Sequence, residues 1–264
     1  MPELKMLFLG DIVGKPGYSA VLENVARIRD EMDLDYVVAN AENAADGSGL
    51  MPKQFDQLID SGIDAVTLGD HIYKRKEILS SLQKSDRIVR PANYPESSTG
   101  RRWTIIKRSG RAPLGIVSVM GRVFMRPVDC PFAALDQVLE EMSDQCEHIL
   151  VDVHAEATSD KQCLARYLDG KVTAVLGTHT HVPTADATVL PGDTAFQCDV
   201  GMCGPYESII GRDIERVTHT TRTAEPCHFH VATGDVRLCG AIVTADPEGR
   251  ATGIERFEKR VVVH

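Results

Sequence analysis

Between positions 4 and 68, short apolar runs alternate with stretches of helical spacing. Leu4–Leu9 is an apolar run of strand length and reads as a buried strand. Gly14, Pro16 and Gly17 mark a loop, after which Val21, Leu22, Val25, Ile28 and Met32 recur on one helix face. Asp35–Ala39 reads as a second buried strand and the polar stretch Asn40–Gly49 as a loop. Met51–Ile59 reads as a helix with Phe55, Leu58 and Ile59 on one side, and Ala65–Leu68 as a third strand. Strand, helix, strand, helix, strand predicts a mostly parallel sheet with crossover helices.

Farther along, Trp103–Lys107 and Leu114–Met120 flank the turn Ser109-Gly110-Arg111-Ala112-Pro113 and read as a hairpin. Phe132–Met142 reads as a helix, and His148–Val153 and Thr173–Leu176 as strands separated by a helical stretch at Lys161–Leu168. Strands are then expected at Ala195–Cys198, His228–Ala232, Arg237–Thr244 and Arg256–Val263, set apart by turns such as Asp246-Pro247-Glu248-Gly249. The alternation in His228-x-His230 places both rings on one strand face, a structural role, and Thr218–Thr223 receives none. No repeat, low-complexity tract or linker interrupts the pattern. Residues 1–264 therefore read as one α/β domain with a mixed or second sheet, long enough to enclose a sizeable core.

Composition narrows the function classes. No apolar run approaches the roughly 20 residues needed to cross a bilayer, and Met1–Phe8 has neither the basic region nor the cleavage site of a secretory signal. The net charge of -9 disfavours long-range attraction to a nucleic-acid backbone or another polyanion. Bound cations would still let the protein draw in a small phosphate ester. The 7 cysteines are odd in number and none is paired at CxxC spacing, which argues against a disulfide framework or zinc knuckle and for a reducing, cytoplasmic compartment.

The chemistry lies in where the polar groups fall. Five expected strands run out into Gly10-Asp11, Asn40-Ala41-Glu42-Asn43, Gly69-Asp70-His71, Asp152-Val153-His154 and Gly177-Thr178-His179-Thr180-His181. In an open α/β sheet, groups beyond the carboxyl ends of the strands meet at one rim. Carboxylates with imidazoles suit iron, manganese or zinc. A carboxylate can bridge two ions about 3.5–4 Å apart with its two oxygens. Asp11, Glu42, Asn43, Asp70, His154, His179 and His181 offer enough donors for two ions and too many for one open site. A lone Gly-Asp or strand-end histidine is ordinary turn or structural chemistry; five such ends together are not.

Several runs resemble the YmdB-like branch of the calcineurin-like metallophosphoesterases: Gly10-Asp11-Ile12-Val13-Gly14, Asn40-Ala41-Glu42-Asn43-Ala44, Arg90-Pro91-Ala92-Asn93-Tyr94-Pro95, Met120-Gly121-Arg122-Val123-Phe124, the run Asp152–Ser159, Gly177-Thr178-His179-Thr180-His181 and the run Asp199–Pro205. The resemblance implies a four-layer αββα sandwich of two mixed sheets flanked by helices. It also implies a dinuclear centre of divalent or mixed-valence ions, iron first, with manganese or zinc as alternatives. By position, Asp11, Asn43 and His181 would hold one ion, Asp70, His154 and His179 the other, with Glu42 bridging and His71 as catalytic histidine. The implied activity is hydrolysis of 2',3'-cyclic nucleotides by a hydroxide shared between the ions, in a branch that tends to self-associate. Where the branch usually has Gly-Asn-His, this chain has Gly69-Asp70-His71; the extra charge should tighten metal binding and make the centre less electrophilic.

Arg122, Arg90, Asn93 and Tyr94, in loops that match the branch, are candidates for substrate contact. Three other readings stay open: a phosphomonoesterase acting on nucleotides or phosphoproteins, a metal-loaded regulatory protein affecting RNA turnover, and, weakest, a metal-dependent oxidoreductase. The glycines of Asp46-Gly47-Ser48-Gly49 lack the Lys-Ser/Thr of a nucleotide-binding phosphate loop and serve the turn.

Overall fold

The computed structural model describes residues 3–142 and 144–261. Its strands are β1 (Leu4–Leu9), β2 (Asp11–Ile12), β3 (Tyr36–Asn40), β4 (Ala65–Thr67), β5 (Ile88–Val89), β6 (Trp103–Ile106), β7 (Leu114–Met120), β8 (His148–His154), β9 (Ala174–Thr178), β10 (Thr188–Val189), β11 (Ala195–Gln197), β12 (Met202–Glu207), β13 (Gly234–Ala245) and β14 (Ala251–Arg260). The helices are α1 (Gly14–Glu31), α2 (Pro52–Asp60), α3 (Leu79–Lys84), α4 (Pro131–Met142), α5 (Thr158–Leu168) and α6 (Ile214–Thr223).

One sheet runs β2-β12-β13-β1-β3-β4-β5, with β14 also on β13; the other runs β10-β11-β9-β8-β7-β6. β1, β3, β4 and β5 run parallel to one another, as do β7, β8, β9 and β11. Antiparallel β13 pairs the other side of β1, and β6 and β7 form the expected hairpin, with Ile106 opposite Leu114.

The parallel strands are apolar at nearly every position because both faces are covered. Met6, Phe8, Tyr36 and Val38 meet Leu114, Ile116, Leu150 and Leu176 between the sheets. The alternate residues of the first sheet, Leu7, Leu9 and Val37, pack under Val21, Val25 and Ile28 of α1 and Phe55 and Leu58 of α2. Val117, Val151, Val153 and Val175 of the second sheet pack under Leu135 and Val138 of α4 and Leu164 and Leu168 of α5. The layers are thus α, β, β, α, as the resemblance implies. Among the described residues, no helix is long and apolar enough to cross a membrane.

Several local expectations give way. The Gly14-Lys15-Pro16-Gly17 stretch is the first turn of α1, not a loop. Proline is tolerated there because first-turn amides have no intrahelical acceptor to lose. Gly17 lets the helix lie on β12, since a Cβ would stand 1.9 Å from the Cys203 carbonyl oxygen. β12 escapes the sequence pattern because Gly204 and Pro205 are poor strand residues. β2 pairs only Met202 and Cys203, so past Cys203 the strand has one partner fewer and proline fits. His228–Ala232 is not a strand and keeps one isolated bridge, Val231 to Arg212. Thr218–Thr223 belongs to α6, which buries no residue. The last expected strand starts earlier, within β14, and its final residues, 262–263, lie outside the described residues.

β9 is closely packed at Gly177, where a Cβ would stand 1.8 Å from the Cys198 carbonyl oxygen and 2.9 Å from Lys161 Cδ. Gly177→Ala should destabilise the fold by about 1–3 kcal/mol or more through overpacking, read as a lower midpoint of chemical unfolding. An unchanged midpoint would show that the strands separate at no cost.

Candidate metal centre

Every expected donor segment leaves its strand at the same rim. Asp11 follows β1 after Gly10, Glu42 and Asn43 follow β3, Asp70 and His71 follow β4, His154 ends β8, and His179 and His181 follow β9. Gly69 allows the crossing, because a Cβ there would stand 2.2 Å from the His154 ring.

The donors fall into two groups that share Glu42. In one, His154 Nε2 lies 3.0 Å from Glu42 Oε1, 3.2 Å from Asp70 Oδ1 and 3.1 Å from His179 Nδ1. Ligand atoms of these four residues all lie within 4.8 Å of one another, and the cluster could hold a metal ion. In the other, Asn43 Nδ2 lies 3.3 Å from Asp11 Oδ1 and 3.4 Å from His181 Nε2, which is itself 3.6 Å from Asp11 Oδ1. Glu42 Oε1 reaches this second group at 3.5 Å from Asn43 Nδ2. The groups are also tied by the His179 amide, which donates to Asp11 Oδ2 at 3.0 Å.

The imidazoles are anchored from behind. Thr178 Oγ1 has one proton and donates it to Asp152 Oδ1 at 2.7 Å. Its 2.8 Å contact with His154 Nδ1 therefore has the ring N–H as donor, which leaves the Nε2 lone pair facing Glu42 and Asp70. Asp152 also accepts from Thr67 Oγ1 at 2.6 Å and from Asn40 Nδ2 at 3.1 Å. His181 Nδ1 donates to the Ile210 carbonyl at 2.9 Å and turns Nε2 inward. His179 Nε2 lies 3.4 Å from Glu156 and Nδ1 faces inward. Holding the outer nitrogen and aiming the inner one is how proteins orient metal-binding histidines.

This donor chemistry fits a cation. Asp11, Glu42 and His154 are 0 % exposed, and buried carboxylates with inward-facing ring nitrogens repel unless positive charge lies among them. Titration tendencies say the same. Burial alone would raise the Asp11 carboxyl, but the charge and hydrogen bond of His181 outweigh it and hold Asp11 well below the usual carboxylate range. Burial likewise opposes a low value at Asp70, where the hydrogen bond and charge of His154 prevail. Burial opposes charge on His154, yet Glu42 and Asp70 raise its proton affinity well above that of a free imidazole. A proton there stands in for the metal. Burial pushes Asp152 up to about 6 despite His154 and the two threonine hydroxyls.

His71 stands beside both groups, its side chain 28 % exposed. Its amide donates to Glu42 Oε2 at 2.9 Å, Nδ1 lies 2.6 Å from Asn43 Oδ1, and Nε2 lies 3.8 Å from Asp70 Oδ2.

The four candidates for substrate contact sit in different surroundings. Arg90 is buried, with Nε donating to the Gly100 carbonyl at 3.2 Å and Nη1 to Pro91 at 2.8 Å, so it fastens its own loop. Asn93 is buried too, with Nδ2 donating to the Met120 and Asp129 carbonyls. Arg122 is exposed beside Phe132 and Leu164. Tyr94 lies within electrostatic reach of the centre: burial raises its hydroxyl pKa, Arg126 pulls it back, and the charges of Glu42 and Asp70 add to the rise. Arg126, 3.5 Å from the Tyr94 hydroxyl and within electrostatic reach of Asp70, was missed because nothing local in Val123-Phe124-Met125-Arg126 marks it.

Thr178→Val leaves the His154 N–H without an acceptor and takes from Asp152 Oδ1 the hydroxyl it accepts. It should cut metal affinity about 10–100-fold while the chain stays folded, as read by titrating metal-free protein with Mn2+. Wild-type affinity would show that the anchor is idle.

The YmdB-like protein family model matches residues 7–257. The 2',3'-cyclic-nucleotide 2'-phosphodiesterase of Bacillus subtilis (strain 168) is 41% identical over 255 residues, 96% of each chain. A hypothetical protein from Thermus thermophilus has a crystal structure that matches with TM-score 0.91 and 44% identity, over 97% of this chain and 99% of that one. A novel phosphatase from Mycoplasma pneumoniae matches with TM-score 0.91 and 31% identity, over 98% and 94%. Likeness of this depth, running through all the strand ends that carry a donor, makes the chain a member of the YmdB-like protein family.

Proposed function

We propose that this protein is a metal-dependent phosphodiesterase that hydrolyses 2',3'-cyclic nucleotides at a two-ion centre, with iron the first choice of metal and manganese or zinc the alternatives. The observation that carries the reading is the pair of donor groups joined at Glu42, which reaches His154 at 3.0 Å and Asn43 at 3.5 Å. Asp11, Asn43 and His181 would hold one ion and Asp70, His154 and His179 the other, with Glu42 available to both. Two ions in such a pocket supply positive charge for the phosphate oxygens and acidify a water for attack on phosphorus. The Bacillus subtilis relative, named for that activity, supports the choice of ester.

The remaining work falls to residues of the chain. Hydrolysis adds water across one ribosyl P–O bond, so the departing ribose oxygen needs a proton. His71, partly open to solvent and fixed by Asn43 and Glu42, is the donor. Arg126 and Tyr94 hold the phosphate side of the substrate in place of the Arg90 and Asn93 expected from the sequence. Asp70 adds a negative charge where the branch usually has asparagine, favouring metal retention over electrophilicity. The odd number of cysteines, none at CxxC spacing, favours a reducing cytoplasm. The second reading, a phosphomonoesterase, draws on the relative described as a phosphatase.

His71→Ala should lower turnover of 2',3'-cyclic AMP about 10²–10⁴-fold with metal content near wild type. Joint loss of metal and turnover would contradict the proton-donor role. Wild-type turnover of p-nitrophenyl phosphate faster than of the bis-ester or cyclic nucleotide would favour the phosphomonoesterase.

A further inference from the structure

The backbone that carries two of the expected ligands is held in an uncommon shape. His179 and His181 have φ of 95 and 64, values that L-residues adopt only when the surroundings impose them. Thr180, between them, is fastened by both of its donors: its amide and its hydroxyl reach Asp199 Oδ2 at 3.1 and 2.8 Å. The same oxygen accepts Lys161 Nζ at 2.8 Å, and Oδ1 accepts the Gly201 amide at 2.8 Å. Lys161 and Asp199 are each 1 % exposed. The lysine stem passes over Gly177, where a Cβ would stand 2.9 Å from its Cδ.

We infer that the buried Lys161–Asp199 pair is a positioning device: through Thr180 it holds the arc from His179 to His181 so that one imidazole reaches each metal ion. Neither residue touches the donor pocket through the contacts described above; each acts through the threonine. The backbone amide of Thr180 alone cannot fix the arc against rotation, whereas two donors from one residue on one carboxylate oxygen can. Lys161 supplies the counter-charge beside that oxygen, which accepts the lysine and both Thr180 donors at once. A pair that only stabilised the fold would need no hydroxyl from the residue between two ligands. The inference rests on the proposed metal centre.

The test is calorimetric titration of metal-free protein with Mn2+, together with thermal unfolding of the metal-free form. Thr180→Val keeps the side-chain shape and the ion pair but removes the hydroxyl. It should weaken Mn2+ binding tenfold or more with little change in metal-free unfolding, and Thr180→Ser should restore wild-type affinity. The double variant Lys161→Met/Asp199→Asn should weaken binding at least as much; if it does not fold, the threonine variants decide alone. Affinity of Thr180→Val within threefold of wild type, whatever its unfolding temperature, overturns the inference and leaves the metal centre intact. Absence of binding by the wild type to Mn2+, Fe2+ and Zn2+ alike overturns the metal centre itself and the positioning role with it.

Discussion

The structure depends on placing negative oxygens and unprotonated ring nitrogens together out of water, an arrangement that only positive charge can hold. Asp11, Glu42 and His154 are fully buried at the rim. Their neighbours Asp70, His179, Asn43 and His181 close two groups with one carboxylate in common. Isolated in low dielectric, such groups would disfavour folding. With cations among them they become the reason the rim has its shape.

The scaffold answers that constraint by fixing each donor from outside. Asp152 of β8 gathers Thr67, Thr178 and Asn40 from neighbouring strand ends, and through Thr178 it sets the His154 tautomer. Asp199 does the corresponding work for the loop after β9, with Lys161 of α5 as counter-charge. Parallel strands make this economical, because successive β-strands deliver their ends to the same side and the helices return the chain beneath them.

Much of this was legible in the sequence. Apolar runs interleaved with helical spacing located β1, β3, β4, β7, β8 and β9, and the donors appear directly after most of them. What stayed hidden depends on contacts distant in sequence. β12 carries Gly204 and Pro205 and is a strand because β13 and β2 pair with it. The first turn of α1 looks like a loop because glycine and proline usually break helices, yet a first turn tolerates both. The sequence offers Arg90 as a candidate for substrate contact and cannot show that its guanidinium donates to loop carbonyls. Arg126, with no local signature, is brought near Tyr94 by the loop after β7. The lysine and aspartate that bracket Thr180 lie 38 positions apart, and only the fold reveals them as partners.

The most direct check is metal content per chain, by elemental analysis of the wild type and of Asp11→Ala purified side by side. Two ions in the wild type and no more than one in the variant is the expected pair of results, since Asp11 serves one group and not the other. No metal in the wild type, or two ions in both proteins, would contradict a shared two-ion rim.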